Sequence, residues 1–119
     1  MVNEPERAAD LLPLPPATFH ILLSVVDGPR HGYAILQDVE GRTGGELRLS
    51  AGTLYRSIAR MVEQGLIEEV VRRRSATDDE RRRYYVISAF GTAVARAEMR
   101  RLAQLVRFAR ARGLTPETA

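Results

Sequence analysis

Two runs of three arginines, Arg72, Arg73, Arg74 and Arg81, Arg82, Arg83, stand on either side of "SATDDE". The flanks continue as "LIEEVVRRR" and "RRRYYVIS", rich in Val, Ile and Tyr, which is the composition of strands joined by a polar turn. Paired antiparallel, near residues 67–74 and 81–87, they bring six guanidiniums together. Like charges that close repel one another, and an anion is their natural partner. Strand alternation puts Arg72 and Arg74 on one face and Arg73 on the other. Asp78, Asp79 and Glu80 at the tip, with Glu68 and Glu69 at the base, nearly cancel the charge. A few of these arginines, not all, are therefore expected to reach phosphate.

The second stretch with chemistry in it is "LSAGTLYRSIARMVEQGLIEE", residues 49–69. Leu54, Ile58, Met61 and Val62 fall at helical spacing, so one side must be buried. Gly52, Arg56, Ala59, Arg60 and Glu63 share the other side, with Thr53 and Ser57 beside them. Ser50 is placed to cap the first turn and Gly65 to end the helix. Small residues at Ala51 and Gly52 let the helix start approach a phosphate. Arg56, at the centre of the outward face, could reach guanine O6 and N7. By itself this pattern suits an ordinary solvated face with Tyr55 half packed almost as well; the arginine-rich hairpin that follows favours DNA.

Other chemistries find little support. The chain has no cysteine, which removes disulfides, thiolate catalysis and cysteine metal sites. His20 falls inside an apolar helix and reads as a packed side chain at the core edge. His31 opens the next helix, and "RHGYA" supplies no further ligand at metal spacing. Ser50, His31 and Asp27 could be nominated as a hydrolytic triad, but Ser50 already caps a helix and no strand-turn-helix elbow surrounds it. No enzyme, cofactor or metal site is expected.

The elements that must position these residues follow from the pattern. At 119 residues the chain is one domain by length, and a chain this short often buries more surface by dimerising. Its 18 basic residues are all arginine, against 15 acids, for a net charge of +3. That balance is a weak hint of an anionic partner, although arginine suits bidentate contacts to phosphate and guanine. Residues 1–14 read as an arm, loose over 1–10 and extended through "LLPLPP". A first helix is expected over about 16–26, with Phe19, Leu22, Leu23 and Val26 in one stripe and Ile21 and Val25 widening it. A second runs over about 31–40, with Ile35, Leu36 and Val39 inward. The helix of residues 51–64 is third, the hairpin follows, and Ser88 caps a last helix over about 89–112, ended by Gly113. The fold class is thus mainly α with a small β-hairpin: a winged helix-turn-helix over 15–88, a long helix over 89–112, and a tail over 113–119.

The last helix carries two apolar stripes. Phe90, Val94, Ala97, Leu105 and Phe108 form one; Ala95, Met99, Leu102, Val106 and Ala109 form the other. A helix with a single buried side needs only one. A helix of about 35 Å also outruns so small a domain. The second stripe therefore points to a copy of the same helix, with Phe90, Val94, Met99, Leu102 and Val106 at the seam of a homodimer. No apolar run is long enough to span a bilayer, and nothing resembles a signal peptide, so a cytoplasmic protein with no membrane partner is expected.

Three segments in order carry a family likeness: "HGYAI" (31–35), "LSAGTLYRSIARMVEQGLIE" (49–68) and "RRRYYVISAFG" (81–91). In these the chain resembles the PadR family of bacterial transcriptional regulators, in its short form with a single C-terminal helix, over most of residues 16–105. Ala51 and Arg56 stand where proline is common in the family, Ile58 where leucine is usual, and Ser88 where threonine is. The first two departures lie at the outward start of the third helix, so the family's operator preference does not carry over. The resemblance implies a homodimeric repressor that binds a palindromic operator in double-stranded DNA and is released by a small molecule. It implies DNA contacts from Tyr33, Ser50, Thr53, Tyr55 and Arg56. Arg60, on the same outward face, and the wing arginines Arg72, Arg74 and Arg83 complete the expected set. Some relatives sandwich flat ligands with tryptophan; this chain has none. Phe90, Met99, Leu102 and Phe108 could line a smaller cavity for an apolar or aromatic effector. The alternative is a winged-helix module that binds protein and not DNA, against which stand the arginine and tyrosine of the third helix.

Overall fold

The computed structural model describes residues 4–73 and 81–115. In chain order the elements are α1 (Glu4–Asp10), α2 (Pro16–Val25), β1 (Arg30–His31), α3 (Gly32–Arg42), α4 (Ala51–Glu63), β2 (Ile67–Arg73), β3 (Arg81–Ile87) and α5 (Ala89–Ala111). Helices α2, α3 and α4 pack around one core, the strands form a sheet in the order β1-β3-β2, and α5 runs out of the domain.

Residues 4–10 correct the expectation of a loose arm. They form α1, which lies against α5. Ala8 is buried, and the Arg7 guanidinium sits 4.9 Å from the centre of the Phe90 ring. A helix this short is not stable by itself; the α5 surface supplies the burial that holds it.

Helix α2 begins on Pro16, a residue suited to a first turn because it has no N–H to satisfy. Its buried side is Thr18, Ile21, Leu22 and Val25, the i, i+3, i+4, i+7 set. Leu23 and Val26, expected in the inward stripe, are exposed, because the centre of that stripe lies about one residue earlier in each turn. The side chain of Ser24 is buried between helices: its hydroxyl donates to Asp38 Oδ2 at 2.8 Å. Arg42 Nε donates to the same oxygen at 2.9 Å, and Arg42 Nη2 donates to the His20 carbonyl at 2.9 Å. Burial pushes the Asp38 carboxyl up, but the bonds from Ser24 and Arg42, with the charge of Arg42, outweigh it and leave the acid below its usual range. His20 is thus at the edge of a polar clasp joining α2 to α3.

His31 ends β1 and also caps α3: its Nδ1 accepts from the Ala34 N–H at 3.2 Å. Ile35 and Val39 face the core with no exposed surface. Ser50 caps α4, accepting from the Thr53 N–H at 3.1 Å. Leu54, Ile58 and Met61 are buried, each contributing about 1.5–3 kcal/mol by leaving water; Val62, expected with them, lies on the exposed edge. At the C-terminus Gly65 takes φ +76°, and the Gly65 and Leu66 N–H groups bond back to Val62 and Met61. This is the left-handed stop that reverses the chain into β2.

The hairpin register is Ile67↔Ile87 through Arg73↔Arg81. Strand β1, which the sequence pattern did not suggest, adds to the other edge of β3 through Arg30↔Tyr85 and His31↔Tyr84. Ser88 caps α5, accepting from the Gly91 N–H at 2.9 Å.

Helix α5 does not carry two stripes along its whole length. Its first half belongs to the core: Val94 is fully buried, and Phe90, Ala93, Ala95 and Ala97 are partly buried against the core. Val94 therefore has no surface left for a second chain, which removes it from the expected seam. From Met99 onward the helix is bare, and Met99, Leu102, Leu105, Val106 and Phe108 are all exposed. Between the halves lies Glu98, a carboxylate only 2% exposed. It accepts from the Leu14 N–H at 2.8 Å and is ion-paired with Arg101. The Arg101 hydrogen bond, helped by the one from Leu14, holds this acid below its usual range against the opposing effect of burial.

Candidate nucleic-acid interface

The outward side of α4 is built by subtraction. With Leu54, Ile58 and Met61 turned into the core, Gly52, Tyr55, Arg56, Ala59 and Arg60 are left exposed. The first turn is held by hydroxyls. Ser50 Oγ, besides capping, donates to Thr53 Oγ1 at 3.0 Å, and Arg56 Nη2 donates to the same Thr53 oxygen at 3.3 Å. Ser50 and Thr53 thus steady Arg56 as well as lying on the surface beside it.

The expected site residues fall on two sides of this helix. On one side, Tyr33 from α3, Tyr55 from α4 and Arg83 from β3 line a hollow of about 320 Å³ with His31, Gly32 and Tyr85. Tyr33 and Tyr55 are exposed, while Tyr85 is buried beneath them. Arg83 pairs with Glu69 at 3.4 Å across the hairpin. On the other side, Thr53, Arg56 and Arg60 line a second hollow of about 230 Å³ together with Ala17, Thr18 and Ser57. The start of α2 and Ser57 did not figure in the sequence-based set. The only sign of them was "PLPPAT", where proline fixes how the chain enters α2.

In the wing, the register places Arg72 opposite Arg82 and Arg73 opposite Arg81, so the two basic runs do face each other along the backbone. Arg74, with Asp78, Asp79 and Glu80, lies outside the described residues. Among the described residues no group of acids, histidines or cysteines is arranged to hold a metal ion, and no helix is long and apolar enough to cross a membrane. Phe90 lines a hollow with Arg7 and Leu11, whereas Leu102 lines a different one with Phe19, Glu98 and Arg101. Phe90 and Leu102, two of the four side chains expected to line an effector cavity, thus line separate hollows within one chain.

Three helices with the third one bare on its outer side, followed by a hairpin wing, define the winged helix-turn-helix class. Within that class the chain belongs to the PadR-like family of transcriptional regulators, whose family model matches residues 21–97. This is a family of regulators and not of enzymes. No curated protein sequence matches the chain. Solved structures share its fold. A PadR-like regulator from Bacillus cereus superposes with a TM-score of 0.69 at 18% identity, over 83% of this chain and 92% of the other. A PadR family regulator from Clostridium difficile gives 0.67 at 21% identity, over 80% and 95%. Bacillus subtilis PadR, solved in complex with operator DNA, gives 0.64 at 15% identity, over 73% of this chain but only 48% of that longer protein.

Proposed function

We propose that the chain is a homodimeric, cytoplasmic transcriptional repressor that sets α4 into the major groove of double-stranded DNA. The observation that carries this reading is the arrangement around α4: Tyr55, Arg56 and Arg60 stand outward from a helix whose other side is fully buried, with Tyr33 and Arg83 beside them. Arg56 is the base-reading side chain, suited to guanine. Tyr33, Ser50, Thr53, Tyr55 and Arg60 contact the flanks, while Arg72, Arg74 and Arg83 of the wing serve the neighbouring backbone.

The bare half of α5 supports the dimer. Met99, Leu102 and Val106, with Leu105 and Phe108, make an apolar surface that the chain itself leaves uncovered. A second copy of the same helix is its simplest cover. Two copies of α4 then read a palindromic operator, and a small apolar or aromatic effector at the seam changes their spacing and releases the DNA. The test is binding to the DNA upstream of the protein's own gene. A retarded band that requires an inverted repeat there supports the reading; no duplex binding at low salt overturns it.

A further inference from the structure

The hollow between α2 and α4 is lined in a way that base reading by Arg56 does not require. Helix α2 has no side-chain cap at its N-terminus. Its first N–H groups, those of Ala17 and Thr18, donate to no acceptor among the described residues. The Thr18 side chain lies at the end of the buried face of α2, with the residue 8% exposed, yet its hydroxyl makes no hydrogen bond among the described residues. It is not sealed in the core either, since no side-chain polar atom there is both fully occluded and without a partner. The hydroxyl therefore faces the hollow that Thr18 lines.

Across that hollow stand Thr53, Ser57 and the guanidiniums of Arg56 and Arg60. No carboxylate lines it, and Arg60 pairs with no acid among the described residues. Free N–H groups at a helix start, the Thr18 and Ser57 hydroxyls, which have no partner among the described residues, and guanidiniums that face no carboxylate there all offer donors to one place. That donor set suits a tetrahedral oxyanion, whose several oxygens each accept more than one bond.

We propose that this hollow seats one phosphodiester of the DNA backbone, held by the α2 N-terminus, Thr18 and Arg60, and so fixes how deep and at what angle α4 enters the groove. The inference rests on the DNA-binding reading above and adds to it a contact from outside α4 and the wing. The position favours backbone phosphate over a free phosphorylated molecule. The hollow lies along the edge of the outward side of α4, where a strand bordering an occupied major groove has to pass. It gives Arg60 and Arg56 different work: Arg60 positions, and Arg56, steadied by Thr53, reads.

The experiment measures binding of the full chain to operator and to random-sequence duplex over a range of salt. The variants are Thr18→Val, which keeps the shape and removes the hydroxyl, Arg60→Gln, and Arg96→Gln on exposed α5 as a control. Thr18→Val should weaken binding to both duplexes by the same factor, about tenfold for a lost bond to a charged group, with an unchanged salt slope. Arg60→Gln should weaken both alike and flatten the slope by roughly one unit. Arg96→Gln should match the parent. If the parent binds duplex and both hollow variants bind random duplex as it does, the phosphate seat is wrong while the DNA-binding reading stands. If the parent binds no duplex, both fall. Melting in inorganic phosphate against chloride at equal ionic strength separates the two sources of phosphate. A stabilisation specific to phosphate and lost in Thr18→Val, with duplex binding untouched, would assign the hollow to a free phosphorylated molecule and overturn the backbone seat. A melting curve for Thr18→Val that matches the parent's shows that its loss of affinity is not a loss of fold.

Discussion

A Cβ built on Gly32 would lie 2.5 Å from the hydroxyl oxygen of Tyr55 and 2.8 Å from the nearest ring carbons. The ring of Tyr55 thus rests directly on the backbone where β1 turns into α3, and only glycine leaves it room. This contact explains the glycine of "HGYAI" without any special backbone angle. It also sets the position of an aromatic side chain on the outer side of α4, in the hollow that Tyr33 and Arg83 line with it.

Gly32→Ala should therefore push Tyr55 out of place. Tyr55 is half exposed and its ring can swing aside, so the expected cost in folding is about 0.5–1.5 kcal/mol, that of an off-rotamer side chain, together with a loss of duplex affinity. In a Tyr55→Ala background the same substitution should cost clearly less, because the clash has gone. Urea melts and duplex titrations of the four proteins in the cycle give the coupling. Strictly additive effects would show that the ring does not depend on Gly32.

How much of this could be read from the sequence is uneven, for physical reasons. Ser50, Gly65 and Ser88 marked their helix ends correctly because caps are local: the residue and the groups it satisfies lie within one turn. The hairpin was legible for the same reason, its strands being adjacent in the chain. Helix α1 was not, since Ala8 is the only residue of "RAAD" that is buried and its burial is supplied by α5, far along the chain. Strand β1 has two residues and exists only by pairing with β3. Glu98 and Arg101 have the spacing of any surface pair three residues apart, and nothing local says that the Leu14 N–H needs that carboxylate. On the candidate site, outward placement of Arg56 and Arg60 followed from helical spacing, while Tyr55 entered through the family resemblance. Thr18 did not, because the hollow it lines joins two helices distant in sequence.

Glu98 gives a dependence on pH. Its folded pKa is held below the ordinary carboxylate value. The stability it contributes is thus fully present above the unfolded value, near 4.3, and is lost as pH falls through the lowered folded value. Glu98→Gln should cost about 1–3 kcal/mol at neutral pH and make the acid limb of the stability curve shallower. Denaturant melts between neutral pH and about pH 3 check both. An equal acid limb in parent and variant would show that this carboxylate is not linked to folding.

The seam makes a contrast between two helix positions. Leu102 is exposed in the chain, so Leu102→Glu should yield a folded monomer by light scattering and circular dichroism. Val94 is in the core, so Val94→Glu should unfold the protein, burying a charge without a partner at a cost of several kcal/mol. A Leu102→Glu protein that remains dimeric would place the seam elsewhere.

The wing is expected to act through charge. Arg83 is largely exposed in its pair with Glu69, so Arg83→Gln should change folding by no more than about 0.5 kcal/mol. Its effect should be on DNA: weaker binding to all sequences alike and a salt slope flatter by roughly one unit. A parental slope for Arg83→Gln, and for Arg72→Gln, would show that the wing is not an electrostatic clamp.

Base reading by Arg56 on the outer side of α4 is measured by a base-by-base operator series with Arg56→Ala. Arg56→Ala should lose about 1–3 kcal/mol in specific binding and relax preference at one base pair in each half-site. The half-site centres should lie about 34 Å apart, or a multiple of that. The melting curve should stay within about 0.5 kcal/mol of the parent, since Arg56 is exposed. Parental affinity with unchanged base preference at every position would contradict base reading by Arg56.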